Sequence, residues 1–390
     1  DGADFAWVMT CTAAEAPQLA PSLDAWMRAH LPAAIAATAA AGWPSGSFVG
    51  FVDEEDPGKG LVPGWAGAPR FSTGYFPLRN RPSVLVEMHS YKPYRDRVLA
   101  NRDFLLALLA EVAKDPQGLV RAAESAEART VALGRPDAPP SDVALRYEVG
   151  PATGRLRMPL YAWRTEPSVV TGQPLLRYER GKVRETELAI AQGVVVELAR
   201  PRPRGYLVLP GWPQIEARLR WHGLRVERLQ EPADVEVETL RVSEPKLAAA
   251  TYQGLTAVTG VEVAVLRERR TVPAGALWVP ADQPDFELAA HLLEPEAPDS
   301  LLAWGLLSSV FERKEYIEPR VLEPLAVEML RDPKVKAEWE AALRDEAFAA
   351  DAEARHLWWY RRTPYWDETV GLLPIYRVVA PPRLVTRPWH

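Results

Sequence analysis

A single carboxylate at the end of an apolar run is the most chemically suggestive feature of this 390-residue chain. Residues 83–99 read SVLVEMHSYKPYRDRVL: Val84, Leu85 and Val86 predict a buried strand, Glu87 stands at its end, and Pro93 opens a helix. Many α/β enzymes present a general base this way, because a cleft with a low-dielectric wall at the carboxyl edge of a sheet tunes proton affinity. By pattern alone, a strand-end glutamate is more often a solvated rim residue. Just upstream, Tyr75 precedes Arg79 and Arg81 in the run YFPLRNR. A guanidinium bonds a carboxylate through two parallel hydrogen bonds, so these arginines are candidate clamps for an acidic substrate end. A loop arginine is by default a solvated surface group.

Two histidines raise the question of a metal. His291 and Glu294 in AAHLLEPE match the His-x-x-Glu spacing that can place an imidazole and a carboxylate on one zinc ion. In a chain with 6 His and 52 acidic residues such short matches arise by chance. The neighbours Leu288, Ala290, Leu292 and Leu293 suit a buried element carrying an incidental histidine. His89, beside an apolar strand, reads more readily as a packed residue than as a ligand. The chain contains no phosphate-cradling glycine loop, no nucleophile elbow and no cysteine cluster.

Composition narrows the classes further. Hydrophobic content of 47% with 25% charged residues describes a globular protein with a substantial core. A net charge of -6 argues against an extended nucleic-acid surface, and the Pro-broken basic run Arg200–Arg204 is too short to supply one. The lone Cys11 has no partner for an internal disulfide. The longest apolar tract, 31–42, is Ala-rich and too short to span a bilayer, so no membrane span is expected.

These residues need elements to hold them. Residues 1–133 read as alternating α and β, with a strand over 4–12, a helix from Pro21, a Gly/Pro-rich loop from Asp56 to Pro69, and helices over 93–114 and 116–133. GRPDAPP within 134–142 is the clearest linker. Residues 143–283 carry short alternating runs and turn signals, which predict a mostly β domain interrupted by one helix near 213–222. From 284 to 390 the pattern is helical, over 300–312, 319–330, 333–348 and 351–360, before a Pro/Arg-rich tail at 381–390 that reads as weakly ordered.

Longer stretches carry a resemblance. DGADF at the start, FSTGYFPLRNRPSVLVEMHSYKPYRDRVLANRDFL, VPADQPDFELAAHLLEPEAPDSLLAWGLLSSVFERKEYIEPRVLEPLAVEML and YRRTPYWDE resemble the zinc carboxypeptidases of the carboxypeptidase A kind. The similarity is greatest to large bacterial members with an extra C-terminal region. The resemblance implies that 1–133 is the C-terminal half of a catalytic domain with a mixed sheet and flanking helices, followed by a β-rich accessory domain and a helical region. It implies that Glu87 is the general acid/base and that Tyr75 caps the substrate, whereas Arg79 is a substrate-binding candidate by its own chemistry. Zinc is the implied cofactor, with ligands expected upstream of residue 1. His89 and His291 stand in the wrong order to be those ligands, so the chain as given is expected to bind no catalytic zinc. A peptide or protein substrate and a periplasmic or secreted location follow by resemblance. The competing reading is a non-catalytic module or pseudoenzyme, binding protein or carbohydrate through Trp358, Trp359, Tyr360, Tyr365 and Trp366. The sequence does not read on oligomeric state.

Overall fold

Strands and helices are interspersed over the described residues up to Gly134. The computed structural model describes residues 5–64 and 67–389; Asp1–Asp4, with which the resemblance begins, lie outside the described residues. The elements are β1 (Met9–Ala13), α1 (Pro21–Ala40), β2 (Ser45–Ser47), β3 (Val49–Phe51), β4 (Leu61–Pro63), α2 (Ser72–Leu78), β5 (Val84–Met88), α3 (Tyr94–Lys114) and α4 (Pro116–Gly134). Helices α3 and α4 begin and end within one residue of where their apolar spacing puts them. Proline opens α1 and α4, where its missing N–H costs nothing, and Asp115 caps α4 by accepting from the Gly118 amide at 2.8 Å.

Strand β1 is the middle of a three-stranded sheet, parallel to β2 and antiparallel to β5. Side chains alternate across a strand, so Met9, Cys11, Val84, Val86 and Met88 face one way. They close a core with Leu23, Trp26, Met27 and Phe104 of the covering helices. Leu85 and Glu87 therefore take the opposite face, alongside Thr10 of β1.

The middle of the chain is β-rich, as its alternation predicts. It comprises β6 (Asp142–Val149), β7 (Ala152–Pro167), β8 (Pro174–Ala191), β9 (Val194–Pro201), β10 (Gly205–Val208), α5 (Pro213–Trp221), β11 (Glu227–Leu229), β12 (Ala233–Leu247), β13 (Val258–Val272) and β14 (Leu277–Pro280). The β7–β8 hairpin does not stay within this region. It folds back onto the amino-terminal part, where β8 meets β4 at Leu61↔Ile190 and completes a four-stranded sheet β3–β4–β8–β7. Phe5, Val49 and Leu61 pack with Met158, Leu160 and Leu188 to seal that junction.

Beyond β14 come α6 (Phe286–Leu293), α7 (Pro319–Met329), α8 (Pro333–Ala342), α9 (Glu346–Ala350), α10 (Ala352–Tyr360), β15 (Leu372–Val378) and β16 (Thr386–Pro388). Helices α7–α10 close around Ile317, Leu322, Ala326, Trp359 and Tyr360. The molecule is thus a mixed α/β protein with a β-rich middle and a helical carboxyl-terminal region.

Several segments differ from expectation: β4 lies within the expected 56–69 loop, and the expected 333–348 helix is divided into α8 and α9. Residues 300–312 form turns ending in a 3₁₀ segment, Ser308–Phe311, instead of a helix. Gly305 in their midst has φ +74°, and a Cβ there would collide with the Thr256 carbonyl, so an α-helical path is closed. Residues 372–378 form a strand between β12 and β10 in a seven-stranded sheet, despite Pro374. The β12–β15 ladder is interrupted between Thr239 and Arg241, where a proline without an N–H is tolerated. The tail is tied down as well: β16 pairs with β11, and the Trp389 amide donates to the Val226 carbonyl at 3.1 Å.

Candidate functional site

The apolar run Val84–Val86 buries one face of β5 against the helices, and that burial is what turns Glu87 to the other face. Glu87 is half-buried and sits directly across from the buried Thr10 on the antiparallel β1. Among the described residues, its carboxylate forms no hydrogen bond or ion pair. It is therefore not spent as a structural counter-ion.

Two residues on, His89 is buried at 4% exposure, its ring 5.3 Å from Tyr91 and 6.5 Å, edge-on, from Phe5. The Tyr91 amide donates to His89 Nδ1 at 3.3 Å. Lys92 Nζ donates to the Phe5 carbonyl at 2.7 Å and to Tyr161 Oη at 2.8 Å, which ties the turn after β5 to the β7–β8 hairpin.

Just past this turn opens a cavity of about 1130 Å³, whose lining includes Phe5, Phe51 and Tyr91 together with Arg177, Tyr178 and Arg180 of β8. The Arg180 guanidinium lies 4.8 Å from the Tyr91 ring centroid. Glu87 is not itself among the lining residues. The β8 residues were not legible as site candidates, because no local signal marks a hairpin that returns more than a hundred residues along the chain.

Tyr75 and Arg79 are brought together with each other and with the β-rich region. Tyr75 Oη lies 2.9 Å from His222 Nδ1, and Arg79 donates to the His222 carbonyl at 2.6 Å and pairs with Asp285 at 3.0 Å. Asn80, in the left-handed region at φ +53°, adds a bond from Nδ2 to the Pro284 carbonyl at 2.7 Å. Burial holds the His222 imidazole below its ordinary range, with Arg79 and Arg218 acting in the same direction. Burial raises Asp285, and Arg79 opposes that shift. Neither Tyr75 nor Arg79 bonds to Glu87 among the described residues.

His291 and Glu294 point to different partners. His291 Nε2 lies 3.1 Å from the Ala144 carbonyl and 3.2 Å from Gln18 Nε2, and burial depresses its proton affinity. Glu294 accepts from Tyr206 Oη at 2.7 Å and pairs with Arg377 at 3.0 Å; burial pushes its carboxyl up. Both are interior struts. Among the described residues, no three His, Cys, Asp or Glu converge to hold a metal ion.

Cys11 lies in the core, where burial pushes its thiol up to about 12, far from a nucleophile's range. The tryptophan-rich stretch near 360 packs inward: Trp359 and Tyr360 are buried, and Tyr365, at 60% exposure, is its exposed large aromatic. No described helix is long and apolar enough to cross a membrane.

No family model matches the chain, and no solved structure matches it. Curated relatives do. The proteins named Carboxypeptidase 2 from Trichophyton tonsurans and Trichophyton equinum are each 34% identical to it over 110 residues, which is 28% of this chain and 20% of theirs. The Probable carboxypeptidase 2 of Arthroderma benhamiae is 33% identical over 104 residues, 27% of this chain and 20% of that protein. The chain spans about a fifth of the length of the curated relatives it matches. Over part of its length, then, this chain is similar to proteins named as carboxypeptidases.

Proposed function

We propose that the chain is part of a metal-dependent carboxypeptidase that hydrolyses a C-terminal peptide bond, with Glu87 as its proton-transfer residue. One observation carries the reading: β5 holds an unpartnered, half-buried carboxylate on the face turned away from the helical core. A general base must not be tied up as a structural counter-ion, and the strand turns Glu87 to the face away from the helical core with no partner among the described residues. In this reading Glu87 takes a proton from the attacking water and hands it to the leaving nitrogen as the C–N bond breaks. The partial similarity to named carboxypeptidases supports the same class.

The metal ligands belong, in this proposal, to residues upstream of Asp1, and no step above is routed through the metal. Tyr75 and Arg79 are proposed to act on substrate, which requires Tyr75 to leave His222. A periplasmic or secreted location completes the proposal.

The test is Glu87→Gln in the full-length gene product, assayed on a blocked peptide with a free carboxyl terminus. Turnover should fall by about 10²–10⁴-fold or more with metal content and melting temperature unchanged. Retained turnover refutes the role of Glu87.

A further inference from the structure

We propose that the cleft between β6, the start of β13 and the loop after α6 binds a small organic anion: a carboxylate or phosphate attached to a flat apolar body. The cleft encloses about 460 Å³, a volume suited to a small ligand. Binding there needs no catalysis by Glu87.

Four charged side chains line it: Arg70, Arg146, Glu296 and Asp299. Three are already answered. The Arg70 amide donates to Asp299 at 2.9 Å, and its guanidinium pairs with the same carboxylate at 3.0 Å. Glu296 is held by Arg200 through two bonds, at 2.7 and 2.5 Å. Arg146 is exposed and forms no hydrogen bond or ion pair with any described residue. One positive charge is therefore left over in the cleft.

The backbone explains its placement. Arg146 pairs with Leu198 between two register shifts in the β6–β9 ladder, one on each side of it. Such irregularities re-aim a side chain that regular pairing would point elsewhere.

The same cleft is also lined by a pair of aromatic rings. Tyr252 and Trp304 stack with centroids 6.2 Å apart and planes 28° apart, and Tyr252 is 55% exposed. The Arg70 guanidinium lies 5.7 Å from the Trp304 ring centroid, a cation–π contact that helps fix that ring. An oxyanion would engage the planar fork of Arg146 while its apolar body lies on the rings. A cation would meet an uncompensated positive charge, and a neutral ligand would leave the fork unused.

The test is titration of the purified chain by calorimetry and tryptophan fluorescence with benzoate, phenyl phosphate, benzyl alcohol and benzylamine. Saturable binding of benzoate, phenyl phosphate or both is expected, and whichever binds names the headgroup. Arg146→Ala should weaken that binding at least tenfold, and Tyr252→Ala should weaken it too. Both side chains are exposed, so the variants should melt as the parent does, which is measured alongside. Three results would overturn the site: no saturable binding of either anion, benzyl alcohol or benzylamine binding as well as benzoate, or unchanged anion binding in a folded Arg146→Ala protein.

Discussion

Glu87 and His222 are titratable residues in opposite circumstances. Glu87 is held by its strand and left without a partner; His222 is wedged beside Tyr75 and two arginines. The sign of the His222 effect follows from linkage. Its folded proton affinity is depressed, so below the ordinary histidine range the unfolded chain binds a proton that the folded one refuses. Stability is present above the ordinary value of about 6.5 and is lost as pH falls below it. The melting temperature should therefore be lower at about pH 5.5 than at about pH 7.5. His222→Asn should remove part of that difference; buried His291, shifted the same way, supplies another part. An unchanged pH dependence in the variant would show that the junction histidine is not the sensor. At this scale, the strand-end position of Glu87 was legible from the apolar run before it. The partners of Tyr75 and Arg79 were not, because His222 and Asp285 lie well over a hundred residues downstream.

Elements were legible wherever local spacing was strong and no distant contact overrode it. The helices over 94–114 and 116–134 show this, as does the turn-rich β texture of the middle. Among the elements that escaped, two show why. The 300–312 segment has helical spacing, but Gly305 turns it against the Thr256 carbonyl. The 372–378 strand hides behind Pro374, which the sheet accommodates at a gap in one ladder. The aromatic stretch in α10 illustrates the packing role. Trp359 is 8% exposed, with the Trp339 ring 4.9 Å away and the Trp358 ring 4.6 Å away. Trp359→Ala should cost about 3–5 kcal/mol within α7–α10, the usual range for emptying so large a core site. Hydrogen exchange should show faster exchange in α7–α10, with the seven-stranded sheet still protected. Unchanged exchange in those helices would mean the cluster is not their core.

At the scale of the whole molecule, the amino-terminal α/β part and the β-rich part are joined at several places. The β7–β8 hairpin reaches one face, and α2 is pinned through Arg79 and Asn80. The end of α4 abuts the strand-to-helix turn, where a Cβ on the buried Gly134 would collide with the Ala281 backbone. Gly134→Ala is informative because its sign is diagnostic. In a free helix alanine stabilises by about 0.8–1.0 kcal/mol relative to glycine. Against a fixed backbone, overpacking should cost about 1–3 kcal/mol. A lower urea midpoint is expected, and a higher one would mean that α4 ends without touching its neighbour. The sequence by itself determined the kinds of element, the acid at the end of β5, the lack of an internal disulfide and the inward-facing helical stripes, since each depends on residues a few positions apart. Only the tertiary structure decided that β8 walls the cavity beyond Glu87, that β15 enters the large sheet, that Glu294 serves Arg377 and Tyr206, and that Arg146 is left over in its cleft. Those outcomes are set by contacts between residues far apart in sequence, whose competing pairings only the packed chain resolves.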